Sequence, residues 1–168
     1  VSDNYLTDHK DTHLLFDKEE TNTLLSDVNW AYNTEVNDIL LSALLTSFTE
    51  SFDMDNILLS MEGHGREEIF DDVDLSRTIG WFTSNYPVYF EKKMDIEATI
   101  KYVKENLRQI PYKGLNYGVE KYLGTNNLKG LNPEISFNYL GQFDQVIDEN
   151  RETGLLSGAE EDSGLSIH

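Results

Sequence analysis

The most informative segment of the chain reads MEGHGREEIFDDVDLSRTIGWFTSNYPV and spans Met61–Val88. Its first part places a carboxylate, a histidine, two glycines and an arginine in five consecutive positions, Glu62 to Arg66. The apolar run Asn56–Met61 predicts a buried strand that delivers Glu62 at its end. Because glycines flank His64 on both sides, the segment predicts a sharp turn or a close approach of two backbones.

Helical patterns lie on both sides of this segment. A helix is predicted to begin at Asp17, where Glu20 completes a capping box, and to end at Asn33. The next helix, Glu35–Phe52, carries apolar residues around most of its circumference, so we expect it to be central and covered on several sides. Two further helices are predicted at Asp95–Ile110 and Asn116–Leu123.

The strand predictions complete a mixed architecture. Strands are predicted at Thr12–Phe16, at Glu134–Leu140 and, as one or two strands, within Arg77–Phe90. Pro87 indicates an edge or a bulge at its position. Helices followed by strands, a helix and a last strand predict an α+β fold, in which helices cover a mixed sheet.

One domain or lobe is expected, because 168 residues are enough to bury a real core. We expect a linker or the cut end of a longer chain at residues 1–11, the lobe itself at 12–143, and an acidic, partly ordered tail at 144–168. No internal repeat is visible in the sequence.

Composition limits the classes of function. The formal net charge is −18, from 31 acidic and 13 basic side chains, which disfavours binding to nucleic acid or to an anionic membrane. No cysteine is present, so disulfides, thiolate metal sites and cysteine nucleophiles are excluded. The longest apolar run, Ile39–Leu45, is too short to span a bilayer, and the first residues do not resemble a signal peptide. A soluble cytoplasmic protein is therefore expected.

Several segments, taken in order, resemble the motifs of one protein family. They are AYNTEVNDILLSAL (Ala31–Leu44), EGHGRE (Glu62–Glu67), RTIGWFTSNYPV (Arg77–Val88), PYKG with NYG (Pro111–Gly114 and Asn116–Gly118) and FNYLGQFD (Phe137–Asp144). Together they resemble the epimerization domain of nonribosomal peptide synthetases, a member of the condensation-domain superfamily. EGHGRE is the motif that most clearly separates epimerization domains from their condensation relatives.

The resemblance implies a C-terminal lobe only. The family also has an N-terminal lobe with a paired-histidine motif, whereas the four histidines of this chain are isolated in sequence, at His9, His13, His64 and His168. The implied fold is one lobe of the chloramphenicol acetyltransferase-like fold. We expect an isolated lobe to be inactive, to require the missing N-terminal lobe, and to expose an apolar face that favours self-association.

The implied activity is cofactor-independent amino-acid epimerization. In this family an aminoacyl or peptidyl group, held as a thioester on the phosphopantetheine arm of a peptidyl carrier protein, is inverted from L to D at Cα. A base removes the α-proton, which the thioester makes more acidic, and a proton returns from the opposite face. Such a site needs two acid/base groups, a dry cleft and hydrogen-bond donors for the enolate oxygen. No metal or cofactor of the chain's own is implied.

The motif match implies four catalytic residues, Glu62, Arg66, Asn138 and Tyr139. Glu62 is the expected acid or base, with a histidine of the missing lobe as the second group; the alternative is a surface carboxylate paired with Arg66. Arg66 is expected to orient Glu62 or to counter negative charge, unless it forms an ordinary salt bridge. Because adjacent strand residues face opposite ways, Asn138 is favoured as the cleft group, and Tyr139 fits the core equally well.

His64, Arg77, Trp81 and Asn85 are the expected substrate-binding residues. The last three are expected in the floor of the cleft or in contact with the other lobe, although Trp81 and the neighbouring aromatics are equally consistent with a core role. His64 is expected to hold the turn by a hydrogen bond. A metal site can be drawn from His64 and Glu68 at helical spacing, with Glu67 beside them, but the flanking glycines argue against a helix there.

Two other functions fit the same pattern. One is a condensation-type acyltransferase lobe that forms an amide instead of inverting a centre; EGHGRE and FNYLGQFD argue against it. The other is a non-catalytic module that binds a carrier protein or a neighbouring domain. Carrier binding without α-proton exchange, even when an N-terminal lobe is supplied, would favour the non-catalytic module.

Overall fold

The computed structural model describes residues 10–67, 69, 72–75, 77–125 and 131–141. The chain divides into two compact units, of which the larger is Asp17–Tyr139. The other unit joins the two ends of the chain; its described residues, 10–16 and 140–141, form no helix or strand. The predicted tail at 144–168 and most of the predicted linker lie outside the described residues.

The larger unit is a three-stranded sheet with helices. Its elements are α1 (Lys18–Asn22), a π-helical turn (Thr23–Asp27), α2 (Val28–Tyr32), α3 (Val36–Ser51), β1 (Asn56–Gly63), β2 (Ser84–Glu91), α4 (Ile96–Arg108), a 3₁₀ turn (Pro111–Gly114), α5 (Leu115–Leu123) and β3 (Ile135–Phe137). The strand order is β2-β1-β3, with β1 antiparallel to β2 and parallel to β3. This mixed sheet confirms the predicted α+β class. Among the described helices, none combines the length and the apolar character that crossing a bilayer would need.

The first helical segment begins and ends where the sequence predicts. The Asp17 carboxylate accepts the Glu20 N–H at 2.8 Å, and the Glu20 carboxylate accepts the Asp17 N–H at 3.0 Å. Asn33 ends α2 in the left-handed conformation, with φ 50°, which asparagine adopts more readily than most residues. The predicted capping box and helix break are both confirmed.

Three strand predictions are corrected by the structure. The segment Thr12–Phe16 is not a strand, and Leu15 within it is 91% exposed. Apolar residues alone do not make a strand, because the backbone N–H and C=O groups of a strand need hydrogen-bond partners on a neighbouring strand. The segment Arg77–Phe90 contains a single strand, β2, and the residues before Ser84 are irregular. The last strand is shorter than predicted, since only Ile135–Phe137 pairs with β1.

The core lies between one face of the sheet and helices α3 and α4. Its buried members are Leu41, Leu45, Ile57, Leu59, Met61, Tyr86, Val88, Phe90 and Val103. Burying each large apolar side chain of this kind contributes about 1.5–3 kcal/mol. Helix α3 supplies two core leucines, as its apolar pattern predicts, but its cover is less complete than predicted because Ala43 is exposed and Leu40 half-buried.

The second face of the sheet carries the residues that alternate with the core. We call it the open face; its members are Leu58, Ser60 and Glu62 of β1 and Asn85, Pro87 and Tyr89 of β2. In the register of the two strands, Glu62 is opposite Asn85 and Ser60 is opposite Pro87. Strand β2 is an edge of the sheet, so the predicted edge position of Pro87 is confirmed.

Gly118 is an unfavourable residue for helix α5, and no neighbouring atom requires a glycine at this position. It lies inside Leu115–Leu123, and a Cβ added there would meet no atom within 4 Å. Because glycine is a poorer helix former than alanine, we expect Gly118→Ala to raise the free energy of unfolding by about 0.5–1 kcal/mol. Urea denaturation followed by circular dichroism measures this change. A lower urea midpoint in the variant would contradict the helical placement of Gly118.

Candidate active site at the end of strand β1

Glu62 is the penultimate residue of β1 and lies on the open face. The preceding residue, Met61, lies on the other face of the strand and belongs to the core. Glu62 is half-buried. The glycine that follows it ends the strand, so the predicted placement of Glu62 where a buried strand gives way to the glycine turn is confirmed. The carboxylate therefore projects from the face that the helices of the core do not cover.

Two asparagines share this end of the open face with Glu62. Asn85 is the direct cross-strand neighbour of Glu62 and is exposed. On the other side, β3 pairs with β1 up to Phe137 opposite Met61, and Asn138 is the first residue after the end of β3. We call Asn85, Glu62 and Asn138 the polar row.

Tyr139 follows Asn138 and is half-buried, whereas Asn138 is exposed. Their different exposure agrees with opposite directions along an extended chain. Asn138 is therefore the member of the pair that fits the open face. The remaining residues of the predicted FNYLGQFD motif beyond Gly141 lie outside the described residues.

A groove of about 380 Å³ adjoins the polar row. Its walls come from the sheet and from α5, with Ser60, Asn85, Pro87, Tyr117, Lys121 and Tyr122 among the lining residues. Asn85 belongs to both the groove and the polar row. A ligand in the groove would therefore contact Asn85, the cross-strand neighbour of Glu62.

The glycine turn after Glu62 is closed by His64. The His64 Nδ1 atom accepts the backbone N–H of Arg66 at 3.0 Å, so the expected role of His64 in holding the turn agrees with the geometry. Gly65 adopts a left-handed φ of 66°, and its α-carbon lies against the carbonyl group of Phe82. The turn is thus pressed against the backbone that leads into β2.

Arg66 fastens this turn to the loop between the two strands. Its guanidinium donates to the carbonyl oxygens of Leu75 at 2.7 Å and Gly80 at 3.3 Å, and it stacks on the ring of Phe82 at 4.3 Å. The expected orientation of Glu62 by Arg66 is not seen in this geometry, because the guanidinium is engaged with loop carbonyls instead. Arg66 therefore stabilises the conformation of the loop.

The loop held by Arg66 exposes apolar side chains. Trp81 is 90% exposed and Ile79 fully exposed, and Arg77 is also exposed. The core role considered for Trp81 is therefore wrong, although Tyr86, nearby in sequence, is indeed a core residue. The neighbouring Phe82 is half-buried and contacts the Arg66 guanidinium with its ring.

Glu67 is the residue of this site whose burial and pairing the sequence analysis did not predict. Its side chain is only 16% exposed, with one carboxylate oxygen 3.1 Å from His64 Nε2 and the other 3.6 Å from Lys113 Nζ. Burial raises the pKa of the Tyr86 phenol above its ordinary value, and the nearby negative charge of Glu67 raises it further. The i, i+3 spacing to His64 was the available sequence signal, but spacing does not reveal burial.

The described residues contain no group of three histidine, aspartate or glutamate side chains arranged to hold a metal ion. Glu68, which the metal alternative pairs with His64, lies outside the described part of the chain.

The glycine turn gives a steric prediction. A Cβ at Gly65 would overlap the Phe82 carbonyl oxygen, and the left-handed φ adds strain for any other residue. We expect Gly65→Ala to lower the free energy of unfolding by about 1–3 kcal/mol and to accelerate amide hydrogen exchange at residues 77–83. The control is Gly118→Ala, which introduces the same methyl group without overlap. Equal exchange rates in wild type and Gly65→Ala would contradict the close approach.

The family comparison concerns nearly the whole chain. A model of the condensation-domain family matches residues 2–164. The chain is 53% identical over 133 residues to gramicidin S synthase 1 of Brevibacillus brevis, a match that covers 75% of this chain and 12% of that protein. It is 53% identical over 131 residues to surfactin synthase subunit 2 of Bacillus subtilis (strain 168), covering 77% of this chain and 4% of that protein. The chain thus spans a small part of each relative.

Two solved structures are similar to the fold. The epimerization domain from the third module of tyrocidine synthetase B aligns with a TM-score of 0.68 and 47% identity, over 73% of this chain and 29% of that chain. The first condensation domain of the CDA synthetase aligns with a TM-score of 0.50 and 12% identity, over 66% of this chain and 26% of that chain. The second likeness concerns the fold alone.

Proposed function

The chain belongs to the condensation-domain family, and we propose that it forms the C-terminal lobe of an epimerization domain of a nonribosomal peptide synthetase. In this proposal the complete domain inverts Cα of an aminoacyl or peptidyl thioester, from L to D. The substrate is carried on the phosphopantetheine arm of a peptidyl carrier protein, so the lobe needs no cofactor of its own. The expected compartment is the cytoplasm.

The observation that carries the proposal is the position of Glu62 on the open face, between two asparagines and beside a groove. A half-buried carboxylate at this position can accept the α-proton of a thioester or return a proton to it. The amide groups of Asn85 and Asn138 are hydrogen-bond donors that can stabilise the negative charge on the enolate oxygen. Removal and return of the proton leave the atoms of the substrate unchanged and invert only its configuration.

One acid/base group is not sufficient for inversion, because the proton must leave one face of Cα and return to the other. The match to the tyrocidine synthetase B epimerization domain covers only 29% of that chain. We therefore assign the second group to an N-terminal lobe, through its paired-histidine motif. The exposed side chains of Ile79 and Trp81 indicate an apolar surface that a second lobe, or a second copy of this chain, would cover.

The identities favour epimerization over condensation. Within the aligned regions, the epimerization domain is 47% identical to this chain and the condensation domain is 12% identical. No comparable observation favours the non-catalytic docking module, which becomes an outcome of the test.

The test is the loss of α-deuterium from an α-deuterated L-aminoacyl thioester bound to a carrier protein. Mass spectrometry would follow this washout with the chain alone, with an N-terminal lobe of an epimerization domain alone, and with both. We expect washout only with both lobes. A complex of the two lobes that binds the loaded carrier but exchanges no deuterium would favour the docking module. Amide formation with an amino-acyl acceptor would favour condensation.

A further inference from the structure

The Glu67 side chain is only 16% exposed. Two other glutamates in the described part of the chain pair with lysine at the surface: Glu91, 3.0 Å from Lys93, is 56% exposed, and Glu97, 2.6 Å from Lys101, is 58% exposed. Removing a carboxylate from water is unfavourable unless charged or polar partners replace the lost hydration. Glu67 must therefore be held in place by its partners.

The first partner is His64, whose hydrogen bond to the backbone determines where its proton lies. Nδ1 accepts the Arg66 N–H at 3.0 Å, so in the neutral ring the proton is on Nε2. That atom is 3.1 Å from a Glu67 carboxylate oxygen. Glu67 thus contacts the side of the ring opposite the hydrogen bond that closes the glycine turn.

The second partner, Lys113, belongs to a strained turn. Tyr112, Lys113 and Gly114 are left-handed in succession, with φ of 48°, 47° and 81°, a conformation that is unfavourable for the two residues with side chains. Lys113 Nζ is 3.6 Å from Glu67. The backbones of the two segments also meet, since a Cβ on Gly63 would lie 3.8 Å from the Lys113 carbonyl oxygen.

Glu67 therefore bridges the turn that follows Glu62 and the turn that precedes α5. We propose that Glu67 is a positioning residue for Glu62: by holding His64 on one side and Lys113 on the other, it fixes the end of β1 from which Glu62 projects. Glu67 touches no substrate in this role and transfers no proton. The inference rests on the proposed function of Glu62, but the bridge itself is a property of this chain alone.

Two substitutions separate the parts of the bridge. Glu67→Met has similar size but accepts no hydrogen bond from His64 and pairs with no lysine, whereas Glu67→Gln keeps an acceptor for His64 and loses only the charge. The control is Glu91→Met, which removes an exposed glutamate that also pairs with a lysine. Thermal unfolding of each variant shows that the fold is retained.

The first readout uses the chain alone. Long-range ¹H–¹⁵N correlation spectra report the tautomer of His64, whose signals are assigned by their loss in His64→Asn. We expect the Nε2–H tautomer in wild type, Glu67→Gln and Glu91→Met. In Glu67→Met we expect a mixture of tautomers, because the ring is no longer held where Nδ1 can accept the Arg66 N–H. An unchanged His64 spectrum in Glu67→Met would overturn the bridge, whatever the activity of the domain.

The second readout uses both lobes and the washout assay. We expect Glu67→Met to lower kcat by about 10- to 100-fold, with KM for the loaded carrier unchanged, and Glu67→Gln to recover part of the loss. Equal kcat in Glu67→Met and Glu91→Met would overturn the positioning role. Inactivity of the wild-type pair would instead count against the proposed function, and the His64 spectra would still decide the bridge.

Discussion

Glu62→Gln is expected to lower α-deuterium washout by the two-lobe enzyme by about 10²–10⁴-fold, the contribution that a general acid/base group makes to proton transfer. Glutamine has the shape of glutamate but cannot accept the α-proton. Glu62 lies half-buried on the open face, so its amide analogue fits the same position. The measurement is the initial rate of deuterium loss at saturating loaded carrier.

The matching control is Glu91→Gln. Glu91 lies at the opposite end of the β1–β2 pair, and its side chain is exposed. This substitution should leave the rate unchanged. Because Glu62 lies on the face of β1 opposite the core residue Met61 and glutamine has the same shape, Glu62→Gln should also leave the free energy of unfolding within about 0.5 kcal/mol of wild type. Full activity of Glu62→Gln in the two-lobe assay would remove Glu62 from the proton transfer.

Gly114→Ala is expected to have the largest effect on stability. A Cβ at Gly114 would overlap the Tyr86 ring, and Gly114 has a left-handed φ of 81°. Tyr86 is 9% exposed and packed into the core, so its ring has little room to move away. Overpacking and the left-handed strain together predict a loss of about 2–4 kcal/mol in the free energy of unfolding, measured by urea denaturation.

A double variant separates the two causes. In Gly114→Ala with Tyr86→Leu the ring is absent, so the overlap is relieved and only the backbone strain of alanine remains. We expect the double variant to lose less stability than the sum of the two single variants. Strictly additive losses would show that the Tyr86 ring is not what requires glycine at position 114.

Much of the fold follows from local sequence. The capping box of Asp17 and Glu20 forms because both partners lie within one helical turn, and Asp95 likewise accepts the Ala98 N–H at the start of α4. The apolar run Asn56–Met61 correctly predicts a strand that delivers Glu62 near its end. The motif series also indicated the family, because the order of several motifs is a property of the sequence alone.

The environments of the site residues could not be predicted in the same way. The carbonyl groups that Arg66 binds belong to residues 9 and 14 positions away, and no local pattern indicates which carbonyls a guanidinium will reach. Trp81 and Tyr86 are both aromatic residues of one motif, yet one is exposed and the other is core. Exposure depends on which neighbours pack nearby, and those neighbours come from other elements.

The helix ends, the strand that delivers Glu62 and the family follow from the sequence, since each depends on residues close together in the chain or on their order. The tertiary structure alone decided the strand order β2-β1-β3, the polar row across those strands, and the burial of Glu67 between His64 and Lys113. The physical reason is that pairing register and burial are set by contacts between segments that are distant in sequence. Thr12–Phe16 shows the same limit, because a strand pattern without a partner strand remains irregular.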